Sequence, residues 1–132
     1  MSLKPYKRKY LRIKPDVPLY GVLRIVEIGG RKVSTGTAKI RILDISPGGL
    51  RFVSSLRFPA GRGMIIEVSF MIEGASYCLK GFVVRACGTE INEYEYGFCF
   101  LKDDENLRKS LKQLFKKMLV RLNKHIVILR IG

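Results

Sequence analysis

Along most of the chain, apolar and polar residues alternate with the period of two that buries one face of an extended strand and wets the other. The alternation is cleanest in Ala38-Lys39-Ile40-Arg41-Ile42, which reads as a strand with one apolar and one basic face. Val17 to Ile28 before it is rich in the β-branched and large apolar residues that strands favour. A polar, glycine-rich connection joins the two, running through Gly29-Gly30-Arg31-Lys32 and Ser34-Thr35-Gly36. Ser46-Pro47-Gly48-Gly49 turns the chain into Leu50 to Val53, and Pro59-Ala60-Gly61-Arg62-Gly63 breaks it before Met64 to Ile72. Glu73-Gly74-Ala75 reads as a hairpin turn into Tyr77 to Cys87, and the polar Gly88 to Glu93 loop leads to Tyr94 to Leu101. Six short strands separated by turn residues predict an all-β antiparallel barrel or sandwich.

From Asp104 the period changes. Leu107, Leu111, Leu114, Phe115, Met118, Leu119 and Leu122 form one stripe of an α-helix. Asp103 or Asp104 can cap its start, and Asn123 is a plausible stop. Lys109, Lys112, Lys116, Lys117 and Arg121 take the other faces. The expected arrangement is a helix packed on the strands with a solvated basic surface, in preference to one lying on a membrane. Ile126 to Ile131 is apolar, and could extend the helix, add a strand or form a dimer contact.

Charge sharpens this picture. The 132 residues carry a net charge of +14, which predicts attraction to anions. Six basic and no acidic residues lie within 1–14, and eight basic against two acidic within 104–132. The body between is nearly neutral. The chain therefore divides into a basic arm (1–15), a barrel (16–103) and a C-terminal helix and tail (104–132). No apolar run is long enough for a membrane span or a secretory leader, so a cytoplasmic protein is expected.

Residue chemistry excludes more than it offers. Cys78, Cys87 and Cys99 lack CxxC spacing and sit in apolar segments, so they read as reduced, buried cysteines. His125 is the one histidine, too few partners for a zinc site or a histidine-activated nucleophile. No phosphate-binding glycine loop of the P-loop or dinucleotide type occurs. No catalytic residues, metal or cofactor are assigned, and an enzyme is not expected.

Two short patterns remain. Arg8-Lys9-Tyr10-Leu11-Arg12 is R-x-x-x-R, and Asp44-Ile45-Ser46-Pro47-Gly48-Gly49 is D-x-S-x-x-G at a turn between strands. With 12 arginines, about one R-x-x-x-R arises by chance, whereas the second pattern is expected only ~0.04 times. Their order, ahead of a six-strand pattern and a terminal helix, carries the signal.

In these residues the sequence resembles the PilZ domain family, whose hallmark is R-x-x-x-R followed by [DN]-x-S-x-x-G. The likeness extends to Gly81-Phe82-Val83-Val84-Arg85 and Tyr96-Gly97-Phe98-Cys99-Phe100. It implies a six-stranded antiparallel β-barrel with a C-terminal amphipathic helix, and a receptor for the bacterial second messenger cyclic di-GMP. The positions matching the family's ligand contacts are Arg8, Arg12, Asp44, Ser46 and Gly49, with Lys7, Lys9 and Gly48 as secondary neighbours. The chemistry suits that ligand. Arginine can fork onto phosphate oxygens or guanine O6 and N7 and stack on a base. Asp44 can accept from guanine N1–H and N2–H, Ser46 can donate, and Gly49 would allow a left-handed turn close to the ligand. The 31 residues between Arg12 and Asp44 would be absorbed by a hairpin at Gly29–Gly36. The implied mechanism is an adaptor whose polar arm is mobile alone, and is ordered by the nucleotide across the Asp44–Gly49 turn to engage a downstream protein. The rival readings are a PilZ-like interaction module independent of nucleotide, and a basic β-barrel binding nucleic acid through its ends.

Overall fold

The computed structural model describes residues 12–89 and 91–131, with side chains through Asn123. The strands are β1 (Leu19–Ile28), β2 (Arg31–Lys32), β3 (Ala38–Ser46), β4 (Gly49–Ser54), β5 (Met64–Ile72), β6 (Ala75–Gly88) and β7 (Tyr94–Phe100), followed by helix α1 (Glu105–Ile131). Six close into an antiparallel barrel in the order β1-β3-β4-β7-β6-β5, with β5 returning to pair with β1. β2 is the two-residue return of a hairpin from β1. Its turn uses Gly29 and Gly30 at φ of 57° and 81°, where a side chain would be strained. The expected six-stranded barrel with a C-terminal helix is the fold observed, and the Gly29–Gly36 stretch does form a hairpin.

Inward positions supply the core. Ile40, Ile45, Leu50, Phe52, Ile66, Val68, Val83 and Tyr96 are all less than 2 % exposed. Each such large side chain contributes about 1.5–3 kcal/mol through burial. Two bulges then decide what faces out. In β3 the alternation that points Ile40 and Ile42 into the barrel would also point Asp44 inward, but the register slips between Ile42 and Asp44. The slip turns Ile45 inward and re-aims Asp44 and Ser46 outward. A second slip, between Val83 and Arg85 in β6, does the same for Arg85.

Helix α1 starts where its cap allows. Asp104 Oδ1 accepts a hydrogen bond from the Leu107 amide at 2.8 Å, which satisfies one orphan donor of the first turn. Leu107 and Leu111 are buried with the barrel core, and the Tyr77 hydroxyl donates to the Asn106 carbonyl at 2.9 Å. Among the described residues, no helix is long and apolar enough to cross a membrane.

Three expectations need correction. Cys78 and Cys87 are exposed and Cys99 is half-buried, because all three take outward positions on β6 and β7. Asn123 does not stop the helix, which runs on through Ile126 to Ile131. Only part of the helical stripe is covered: Leu114 and Met118 pack partly on the core, while Phe115, Leu119 and Leu122 are exposed.

Candidate functional site

The two motifs meet on the outside of the barrel. Ile13 forms a two-way backbone bridge with Ile45, donating at 2.9 Å and accepting at 3.0 Å, and its side chain is buried. The bridge is antiparallel, so it sets Arg12 opposite Ser46 and diagonal to Asp44, within reach of a long side chain. Arg12 Nη1 accordingly donates to Asp44 Oδ1 at 3.0 Å. Asp44 itself is 3 % exposed, and its Oδ2 accepts from Arg51 Nε at 2.6 Å. Arg51 Nη1 also bonds the Glu95 carboxylate. The result is a chain of alternating charge, Arg12–Asp44–Arg51–Glu95, with partly exposed arginines around a buried carboxylate.

Ser46 and Gly49 serve the turn. The Ser46 hydroxyl donates to the Gly49 carbonyl and accepts from the Gly48 amide, both at 3.3 Å. Gly49 corrects a further expectation, since its φ is not in the left-handed region. Glycine is needed there for another reason: an added Cβ would lie 2.2 Å from the Phe98 carbonyl oxygen on β7. The close approach is to the neighbouring strand.

Cross-strand register shows what surrounds the pair. Asp44 faces Arg51, Arg51 faces Gly97, and Gly97 faces Arg85. Gly49 faces Cys99, which in turn faces Phe82. On this outer face Gly49 and Gly97 contribute no side chain, Arg51 and Cys99 stand between them, and the Arg85 side chain lies against buried Gly97. The Arg62 guanidinium lies 4.5 Å from the centre of the Phe82 ring. An outer face that gathers the guanidinium groups of Arg12, Arg51 and Arg85 can take an anionic ligand, with phosphates on the arginine forks and a ring stacked on a guanidinium plane. Among the described residues, no three His, Cys, Asp or Glu side chains are grouped so as to hold a metal ion.

Of the residues singled out from the sequence, Arg12, Asp44, Ser46, Gly48 and Gly49 come together here. Arg8, Lys7 and Lys9 lie outside the described residues. Sequence reasoning missed Arg51, Glu95, Gly97 and Arg85. Arg51 follows the D-x-S-x-x-G turn by two residues, and in a hairpin that short it must return beside Asp44; this signal was available. Glu95, Gly97 and Arg85 join through the β4–β7 and β7–β6 pairings, which no local spacing reveals.

The family model of the PilZ domain matches residues 6–117. The chain belongs to the PilZ domain family. Solved PilZ structures share its fold. The PilZ domain of Escherichia coli YcgR with c-di-GMP superposes with a TM-score of 0.55 at 18 % identity, over 92 % of this chain and 98 % of that one. Longer E. coli YcgR in complex with c-di-GMP gives 0.58 at 16 % identity, over 93 % of this chain and 50 % of that one. Bacillus subtilis MotI/DgrA, an inhibitor of motility, gives 0.61 at 16 % identity, over 87 % of this chain and 53 % of that one. The PilZ chain described here thus spans about half the length of the longer proteins it superposes on. No curated protein sequence matches it.

Proposed function

We propose that this PilZ domain binds cyclic di-GMP on the outer barrel face, through Arg12, Asp44, Ser46 and Gly49 together with Arg8, with Lys7, Lys9 and Gly48 as neighbours. The observation carrying this reading is the Arg12–Asp44 contact, which joins two motifs 32 positions apart beside Arg51. The described end of the arm is seated by the chain's own contacts, so the proposed switch is an exchange of partners. Arg12 leaves Asp44 for a ligand phosphate, and Asp44 turns its freed Oδ1 to guanine N–H donors. Arg51 stays on Asp44 Oδ2 and on Glu95, so the carboxylate is never left buried without a countercharge. Ordering of the residues before Arg12 over the turn, by charge neutralisation, completes the ligand-bound surface for a downstream protein. The domain acts as a receptor or adaptor and performs no catalysis.

Calorimetric titration with cyclic di-GMP tests this. Each charged hydrogen bond of this kind is worth about 1.5–3 kcal/mol, so Arg12→Ala should weaken binding tenfold or more. A chain that takes up no cyclic di-GMP, or binds undiminished after Arg12→Ala, would overturn the reading.

A further inference from the structure

Helix α1 leaves an apolar strip facing water. Phe115, Leu119 and Leu122 are 38 %, 41 % and 53 % exposed, and their spacing of four and three aligns them on one side of the helix. That side lies roughly a quarter turn round from Leu107, Ser110, Leu111 and Leu114, which face the barrel. The strip is held in a fixed direction. Lys117 Nζ reaches Glu73 at 2.5 Å, and Arg121 forks onto Asp16 at 2.7 and 2.9 Å, both from the barrel side of the helix. Exposed Lys112 and Lys116 border the strip on its solvent side. From Asn106 to Gly132 the sequence holds eight basic residues and no acidic one.

We propose that α1 is an interfacial helix that lies on an anionic lipid surface, with Phe115, Leu119 and Leu122 entering the headgroup–acyl boundary and Lys112 and Lys116 on the headgroups. Charge chooses the occupant. A second copy of the chain would set one basic helix against another. A protein partner is usually registered by charges of both signs, and a single sign over 27 residues marks no register. A continuous anionic plane needs none. Nucleic acid would satisfy the lysines but leave the apolar strip in water. The helix is also too polar to span a bilayer, so it lies along the surface.

Vesicle flotation with the full chain tests the proposal independently of nucleotide binding. The protein should float with phosphatidylcholine–phosphatidylglycerol vesicles, little with phosphatidylcholine alone, and less as salt rises. Leu119→Glu should abolish flotation, and Lys112→Gln or Lys116→Gln should lower the partition coefficient roughly fivefold each. These residues are exposed, so circular dichroism and Tm should be unchanged. The chain has no tryptophan, so Phe115→Trp adds a single reporter whose emission should shift to the blue on anionic vesicles. Failure to bind anionic vesicles, equal binding to neutral ones, or undiminished binding by Leu119→Glu would overturn the proposal. So would capture of single-stranded nucleic acid through Lys112 and Lys116 without vesicle binding.

Discussion

Asp44 is a buried carboxylate held by guanidinium groups from two directions, and the arrangement can be dissected one residue at a time. Asp44→Ala strands neither arginine in the core, since both are partly exposed, and should cost about 1–3 kcal/mol of unfolding free energy in urea. Arg12→Ala and Arg51→Ala share one partner, so a double-mutant cycle should show coupling of more than about 0.5 kcal/mol; simple additivity would mean that the two act separately. Gly49 and Gly97 offer a contrast. Gly49→Ala drives a methyl into the Phe98 carbonyl and should destabilise by about 1–3 kcal/mol or more. Gly97→Ala meets nothing nearer than 3.5 Å, the Val84 and Arg85 side chains, and should leave Tm almost unchanged while crowding Arg85 at the proposed site. Loss of stability in the first with loss of binding in the second would separate packing from recognition.

At the scale of strands and helix, what could be read in advance was what each segment does alone. Alternation located all six barrel strands, and the change of period located α1, because both are local consequences of burial on one face. Outward Cys78, Cys87 and Cys99 were misjudged because an apolar neighbourhood in sequence does not reveal which parity faces the core. The bulge after Ile42 had no such signal, yet it puts Asp44 and Ser46 on the outer face of the barrel, where neighbouring groups still bury them. Closure of the barrel between β1 and β5 was equally hidden, and there Arg24 Nε donates to Glu67 Oε1 at 2.8 Å. Burial alone would raise the Glu67 pKa, but hydrogen bonds from Arg24 and Cys78 and the charges of Arg24 and Lys80 hold it below its ordinary 4.5. A depressed carboxylate stabilises the fold above its unfolded pKa, and this contribution is lost as pH falls through the folded value. Unfolding free energy should therefore drop on acidification below about pH 5 and do so less steeply in Glu67→Gln. Parallel acid limbs in the two proteins would remove Glu67 from the account.

Across the whole molecule, one short segment touches both the candidate site and the helix. Arg12 meets Asp44, Ile13 is clamped to Ile45, and Asp16 takes the fork of Arg121 on α1. A tether at Asp16 limits the freedom of the segment that carries Arg12, and pre-ordering of this kind favours binding. Its worth bounds the effect. Exposed ion pairs contribute about 0.2–1 kcal/mol, so Arg121→Ala should weaken cyclic di-GMP binding by no more than about fivefold, well short of the loss expected from Arg12→Ala. Linkage requires the converse: ligand must strengthen the tether by the same factor. Cyclic di-GMP should then slow hydrogen exchange in α1 around Arg121, and the slowing should vanish in Arg121→Ala. Because the same fork holds the exposed strip of Phe115, Leu119 and Leu122 in place, nucleotide should also change the partition of the wild-type chain onto anionic vesicles, by no more than that fivefold. If Arg121→Ala leaves both the affinity and the exchange pattern untouched, the site and the helix act independently.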